Sequence, residues 1–434
     1  MTDVVIKKTQ TLNGEVCAPP SKSYTQRMLI AASLSAGTSR ISRPLVSDDT
    51  EATVRAVEAL GAKAHVTKDC WTIEGLPRPT GAKEPIDCGE SGATLRFMIP
   101  VAALAPDPSV FLLGRSLEQR PIEPLLRSLK NLEAETSTGK VSGRSFVKVQ
   151  GGGIKGGKTS IRGDVSSQFV SGLMFACPEA KQNTKIDVKT PLESKGYVDM
   201  TQKVLEEHDI EVSLSEDFGK IQIPSGQKYK PCDHRVPGDF SSAAFLLAAA
   251  AITSSRVTVG NLDFSLVQSD KAIVGILKQM GVKGKVCKNE VQIEGTGKLL
   301  NPVDVSAKDT PDLVPVTAAL ACYAKGDSKI HGAQRLRLKE SDRLESLYLE
   351  LTKMGANIVV DEDSLTVRGP CKLHGAIIDP HNDHRIAMAC AVAALGAEGE
   401  TEIRDAECVK KSYPTFFIDL QRLGVDAIGG KFDR

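Results

Sequence analysis

The sequence predicts an α/β protein of two domains, each built from three copies of one βαβαββ unit. Three observations carry that prediction. The chain has 434 residues, too many for one compact core and suited to two of roughly 200 residues each. Six segments repeat one plan at a nearly constant spacing. Each passes from a short strand through a polar loop into an alanine-rich apolar helix, the change of period that marks α/β units.

In chain order the segments are VCAPPSKSYTQRMLIAASL, IDCGESGATLRFMIPVAAL, SIRGDVSSQFVSGLMFA, HRVPGDFSSAAFLLAAAAI, VDVSAKDTPDLVPVTAALA and IIDPHNDHRIAMACAVAAL. With helix starts at Ser21, Ser91, Ser166, Ser241, Pro311 and Asp383, the steps are 70, 75, 75, 70 and 72 residues. A small-residue turn then leads to a second strand, as in GTSRIS or ETEIRD. A second, amphipathic helix follows, as in SDRLESLYLELTKMG. Two alternating strands with a tight turn, such as VKGKVCKNEVQIEG, close each unit.

The sixth copy is one strand short, with VDAIGGKFDR after its last helix, and MTDVVIKKTQTLNGEV leaves an N-terminal strand over. The simplest closure lets that strand complete the last unit. The expected domains are residues 21–237 and residues 1–20 with 238–434. The chain would cross near Pro19–Pro20 and near Pro237–Gly238, a hinge pair suited to closing a cleft over a ligand.

The charge balance, 55 basic against 54 acidic residues, argues against a nucleic-acid binder, which needs a basic excess to neutralise phosphates. Ten cysteines without a CxxC pair or zinc-site spacing read as small buried thiols in a reducing cytoplasm, with no metal. The N-terminal segment has no apolar run long enough for a signal peptide or membrane span. The expectation is a cytoplasmic monomer.

The repeat sets polar loops at successive helix N-termini, where free N–H groups and the helix dipole attract anions. Ser, Asp and Gly there are also ordinary caps, but capping does not need cations. Lys22, Arg27, Arg96 and Arg385 lie in the first loop-helices, and Arg120, Lys339, Arg343 and Lys411 at second-helix starts. Their recurrence at corresponding positions points to sites for phosphate or carboxylate. Asp312, Glu340, Asp342 and His384 fall in the same loops, and a carboxylate among cations stays ionised and can take a proton from a hydroxyl. GGIKGGKT at 152–159 matches a phosphate-loop pattern, but a strand rather than a helix is expected after Lys158. No GxSxG, HExxH or Cys–His signature stands out, Trp71 reads as packing, and no cofactor is implied.

Read as a set, PSKSYTQR, SGATLR, RPI at 120–122, SSQF at 166–169, PD at 311–312, LKESDR at 338–343, NDHR at 382–385 and KSYP at 411–414 resemble the enolpyruvyl transferases. The likeness runs along essentially the whole chain and is closest to the branch that acts on shikimate 3-phosphate. It implies the inside-out α/β barrel of that family and transfer of the enolpyruvyl group of phosphoenolpyruvate to the 5-hydroxyl of shikimate 3-phosphate, through a tetrahedral intermediate. By resemblance, Ser23 and Arg27 hold the shikimate ring. Ser166, Ser167 and Ser194 bind the 3-phosphate, with Gln168, Tyr197, Lys339, Lys22 and Asp312 near that substrate. Lys22, Gly92, Arg120, Gln168, Arg343, Arg385 and Lys411 grip phosphoenolpyruvate, with His384 adjacent. Asp312 takes the hydroxyl proton, Glu340 exchanges the proton at C3, and Lys22 and Lys411 support the leaving phosphate.

Two positions depart from the pattern. Ala93 follows Gly92 where many relatives carry Thr, and Arg335 stands where some have Asn. The rivals are the sister transferase on UDP-N-acetylglucosamine, a non-catalytic phosphometabolite sensor and a phosphate-loop ATPase. The first usually has Lys-Asn at Lys22–Ser23 and a Cys in the loop that reads LLGRSLEQRP here.

Overall fold

The computed structural model describes residues 3–429. The chain divides into two compact units. A continuous unit spans Pro20–Val236, and a split unit joins Met1–Pro19 to Pro237–Arg434. Their apolar cores are separate: Phe97, Phe169 and Phe175 belong to one, Phe240, Phe245 and Phe416 to the other.

The helices of the continuous unit are α1 (Lys22–Ser33), α2 (Asp48–Ala59), α3 (Gly92–Ala102), α4 (Glu123–Asn131), α5 (Ser167–Ala176) and α6 (Lys195–Glu207). Those of the split unit are α7 (Phe240–Ile252), α8 (Ala272–Gln279), α9 (Val314–Ala321), α10 (Arg343–Lys353), α11 (His384–Ala394) and α12 (Phe416–Arg422). The first helix of a repeat is apolar on every side and becomes a central element: α3, α7 and α11 are buried along their whole length. The second helix is amphipathic and shows the core one face, as α4 does with Leu125, Leu126 and Leu129. Each fully buried Phe or Leu contributes about 1.5–3 kcal/mol relative to exposure.

The strands form six four-stranded sheets of one design. In the sheet of Ile86–Asp87, Ser109–Leu112, Arg144–Val149 and Thr136–Val141, the first pair is parallel and the other two are antiparallel. Thus α3 bridges two parallel strands and a hairpin closes the sheet, which is the βαβαββ unit. In the sixth sheet Val4–Lys7 lies antiparallel to both Glu400–Ile403 and Ala427–Gly429, filling the fourth place.

Two strands do not belong where their sequence positions suggest. Asn13–Cys17 precedes α1, yet it pairs in parallel with Ser254–Gly260 of the fourth repeat. His234–Arg235 precedes α7, yet it pairs in parallel with Gly37–Ser42 of the first. The first strands of repeats one and four are therefore exchanged, and the chain crosses between units just after each. The helix starts also shift. The fourth helix is capped by Asp239 rather than Ser241, and the fifth opens with a 3-10 turn at Pro311–Leu313 before α9.

Gly172 lets α3 and α5 approach closely, since a Cβ there would lie 2.3 Å from the Arg96 carbonyl oxygen. Trp71 is fully buried in the strand Cys70–Gly75. Lys158 is exposed on the strand Gly157–Ile161, and the next helix starts only at Ser167, so the phosphate-loop reading fails. No helix among the described residues is long and apolar enough to cross a membrane.

Candidate active site

In the continuous unit the repeat aligns three helix N-termini capped by serine. Ser21 accepts from the Tyr24 N–H, Ser91 from Thr94 and Ser166 from Gln168. A serine cap satisfies a donor without adding charge, so the positive helix ends stay uncompensated. Lys22, the first residue of α1, reaches Asp49 Oδ2 of α2 at 2.9 Å. Gln26 ties α1 to α2 and α3 by donating to the Asp49 carbonyl (3.2 Å), Thr53 (2.9 Å), Ser91 (3.4 Å) and Thr94 (3.4 Å).

Arg27 is almost wholly buried and held by neutral acceptors: Thr201 Oγ1 at 2.8 Å, the Ser23 carbonyl at 2.9 Å and the Tyr197 carbonyl at 3.1 Å. The faces of Phe97 and Tyr197 lie 5.0 and 5.8 Å from its guanidinium carbon. Burial lowers its pKa to about 10, so it stays charged at neutral pH. Arg96 is held the same way, by Gln168 Oε1 at 2.8 Å and the Pro121 carbonyl at 3.2 Å. It brings Gln168 beside the cap Ser166, which its Nη1 also approaches at 3.5 Å. Ser167 and Ser194 are buried, and Ser194 opens α6 in the left-handed conformation with φ 57°.

Gly92 packs against Arg120. A Cβ at Gly92 would come to 3.0 Å from Arg120 Nη1 and 3.1 Å from its Cζ, so any side chain there would push the guanidinium aside by a few tenths of an ångström. Glu90 anchors that loop, accepting from the backbone N–H groups of Ser116 and Leu117, each at 3.1 Å. Ala93, the departure from the family pattern, is buried.

The split unit is organised around charges of both signs. Arg343, the first residue of α10, is 1% exposed and donates to three carboxylates. Nε reaches Asp383 Oδ2 at 2.8 Å, Nη1 reaches Asp312 Oδ1 at 2.9 Å, and Nη2 reaches Glu340 Oε2 at 2.8 Å. Burial works against its charge, yet Asp383, Glu340 and Asp312 raise its pKa. Arg385 donates to Asp312 Oδ2 and to Ser241 Oγ, both at 2.9 Å. Burial alone would raise the Asp312 carboxyl, but Arg385, Lys339 and Arg343 hold it well below the usual carboxylate range. Lys339 is half-buried beside it, and loss of solvation lowers its ammonium to about 8. His384 follows the cap Asp383, with Nδ1 3.8 Å from Asp383 Oδ1. Lys411 donates to the Asn382 carbonyl. Asp342 lies apart as the cap of α10, paired with Arg337.

The structure thus collects Lys22, Ser23, Arg27, Gly92, Arg120, Ser166, Ser167, Gln168, Ser194 and Tyr197 in one unit. It collects Asp312, Lys339, Glu340, Arg343, His384, Arg385 and Lys411 in the other. Sequence reasoning missed the residues that hold these in place. Asp49 was one of several acids opening α2, and Glu90 one residue of a turn. Asp383 had the visible signal of a cap, but its hold on Arg343 depends on a contact 40 residues away.

Sixfold βαβαββ architecture and two such clusters define an enolpyruvyl-transferase fold. The enolpyruvyl transferase NikO from Streptomyces tendae superposes with a TM-score of 0.80 at 20% identity, covering 99% of this chain and 98% of that one. EPSP synthase from Acinetobacter baumannii superposes at 0.83 with 26% identity over 99% and 100% of the chains. The 3-phosphoshikimate 1-carboxyvinyltransferase of Methanocaldococcus jannaschii is 43% identical over 428 residues, 98% of each chain. That of Methanocella arvoryzae is 43% identical over 412 residues, 95% of this chain and 96% of its own. Residues 6–420 match the family described as EPSP synthase (3-phosphoshikimate 1-carboxyvinyltransferase), and the chain belongs to that family. It is an enzyme of the shikimate pathway of aromatic amino-acid biosynthesis, transferring the enolpyruvyl group of phosphoenolpyruvate to shikimate 3-phosphate. The sister reaction on UDP-N-acetylglucosamine is not favoured.

Proposed function

We propose a division of labour between the residues of the two units. In the continuous unit Ser166, Ser167 and Ser194 take the 3-phosphate, helped by the uncompensated N-terminus of α5. Arg27, Ser23, Gln168 and Tyr197 orient the shikimate ring. Lys22 and Arg120, with Gly92 leaving room, hold the phosphate of phosphoenolpyruvate. In the split unit Arg343, Arg385 and Lys411 grip phosphoenolpyruvate with His384 adjacent, and Lys339 adds charge toward shikimate 3-phosphate. No cofactor or metal takes part, and the enzyme acts as a cytoplasmic monomer.

Asp312 accepts the 5-hydroxyl proton as the oxygen attacks C2, and Glu340, in its protonated form for this step, delivers its proton to C3 and is left as the carboxylate. Elimination then reverses the C3 transfer and releases phosphate, with Lys22 and Lys411 stabilising the departing charge. The observation that carries this reading is the pair of carboxylates on one buried guanidinium. Arg343 fixes Asp312 and Glu340 together, and its neighbours keep Asp312 ionised. A carboxylate held that low orients the hydroxyl through a strong hydrogen bond and takes its proton late, once the oxygen has turned acidic.

Phosphate release from phosphoenolpyruvate, measured with and without shikimate 3-phosphate in wild type and Glu340→Gln, tests the assignment. Release should depend on shikimate 3-phosphate and collapse in the variant. Release that persists in Glu340→Gln would remove Glu340 from the chemistry.

A further inference from the structure

At the end of the continuous unit lies a cluster that this reaction does not use. α6 ends at Glu207, His208 follows as its cap, and the strand His234–Arg235 sets His234 against both. His234 Nδ1 is 2.9 Å from Glu207 Oε2, and its Nε2 is 2.8 Å from His208 Nε2. Cys232 completes the group: one ligand atom from each of Glu207, Cys232 and His234 lies within 4.8 Å of the others. The His234 side chain is 1% exposed and that of Glu207 48%, while Cys232 is partly exposed. The innermost ligand is thus shielded, and the outer two face an entry path.

His208 Nδ1 lies 2.7 Å from the Lys230 carbonyl and 3.0 Å from Ser35 Oγ. With a hydrogen on Nδ1 for that carbonyl, its Nε2 accepts from His234 Nε2–H. In that tautomer His234 Nδ1 faces the Glu207 carboxylate, and a proton or a metal ion there pairs the two. A proton satisfies two of the three groups, whereas a divalent metal ion satisfies all three. Among the neighbouring charges, Asp233 Oδ1 accepts from the Arg40 N–H at 2.8 Å, and Lys230 pairs with Asp209 at 2.6 Å; burial and the carboxylates of Glu207 and Asp233 raise the Cys232 thiol, which an ion must offset.

We infer that Glu207, Cys232 and His234 form a site for one divalent ion of the zinc class, with a fourth position open to water. Thiolate, imidazole and carboxylate are the donors zinc prefers, and ligating histidines ordinarily donate their second N–H to an acceptor, here His208. Tetrahedral bonds of about 2.0–2.3 Å place ligand atoms some 3–4 Å apart, so small side-chain rotations suffice. The ion clips the end of α6 to the segment before the chain crossing. The strand there has only two residues, His234 and Arg235, so backbone pairing alone holds it weakly.

The test uses the full chain, stripped with a chelator under reducing conditions and titrated with Co²⁺, then with Zn²⁺. A thiolate-to-cobalt charge-transfer band should saturate at one ion per chain and vanish on adding zinc. Zinc should raise the melting temperature, because it binds the folded form. Cys232→Ser, a mild change at a partly exposed position, should abolish the band and weaken zinc binding by at least about tenfold. Cys371→Ser should keep the band, and enolpyruvyl transfer should proceed at the wild-type rate in both variants. No stoichiometric band, a band that survives Cys232→Ser, or equal zinc stabilisation of wild type and Cys232→Ser would overturn the assignment.

Discussion

The two units are copies of one architecture, yet they hold their buried arginines differently. In the continuous unit the guanidiniums of Arg27 and Arg96 rest on hydroxyl, amide and carbonyl oxygens, and the caps of α1, α3 and α5 are serines. In the split unit Arg343 and Arg385 rest on carboxylates, and the caps of α7 and α11 are aspartates. Neutral partners leave a positive field that a phosphate dianion can neutralise. Anionic partners cancel that field and keep ionised carboxylates ready for proton transfer. Under the proposed division of labour, one scaffold serves anion binding in one unit and acid–base chemistry in the other, by changing what faces the site arginines.

The comparison predicts effects of different size and kind. Asp312→Asn removes the proposed base while keeping its shape. The rate constant kcat should fall about 10²- to 10⁴-fold with KM for shikimate 3-phosphate changed far less. A loss confined to KM would make Asp312 a binding group only.

Asp383→Asn takes a charge from a buried set in which Arg343 keeps its own. It should destabilise by about 3–5 kcal/mol, read as a drop in melting temperature, and slow turnover by releasing Arg343. Thr201→Val is the matching change in the continuous unit. It strips one neutral acceptor from Arg27 and should cost only about 1–3 kcal/mol. Equal losses in these two variants would erase the distinction between the units.

The smallest expected effect is a pH dependence. Lys339, lowered to about 8 by burial, loses its charge as pH rises through that value, so KM for shikimate 3-phosphate should rise a few-fold there. Lys339→Arg should remove the step. Stability moves the other way. The folded pKa lies below the unfolded value of 10.5, so the cost of burying the charge is full below about 8 and fades as pH rises toward 10.5.

Much of this was legible because repetition multiplies weak signals. One Ser before an apolar run is a common cap, but six polar loops at 70- to 75-residue steps fix the unit, and cations at matching places point to the loops as anion sites. The place of the N-terminal strand in the sixth sheet was legible from the strand missing there, but the exchange of first strands was not. VCAPP and HRVPGD stand at equivalent places, and nothing local tells either strand that its parallel neighbour is more than 190 residues away. The fourth helix start slipped by two because GDFSS offers an Asp and two Ser as rival caps, which differ little in energy. Asp49, Glu90 and Asp383 stayed hidden for the reason the Glu207, Cys232 and His234 cluster did: their meaning lies in contacts that sequence spacing does not encode.

The N-terminal strand imposes an order on biosynthesis. Every strand of the continuous unit has been made once Val236 leaves the ribosome, so that unit can fold while synthesis goes on. Val4–Lys7 is made long before both its partners, Glu400–Ile403 and Ala427–Gly429. It must stay unpaired, an open strand edge, until those two segments have emerged. Sealing the split unit therefore waits on strands made after the continuous unit is complete, and synthesis that stopped before Glu400 would leave one unit finished and the other unsealed.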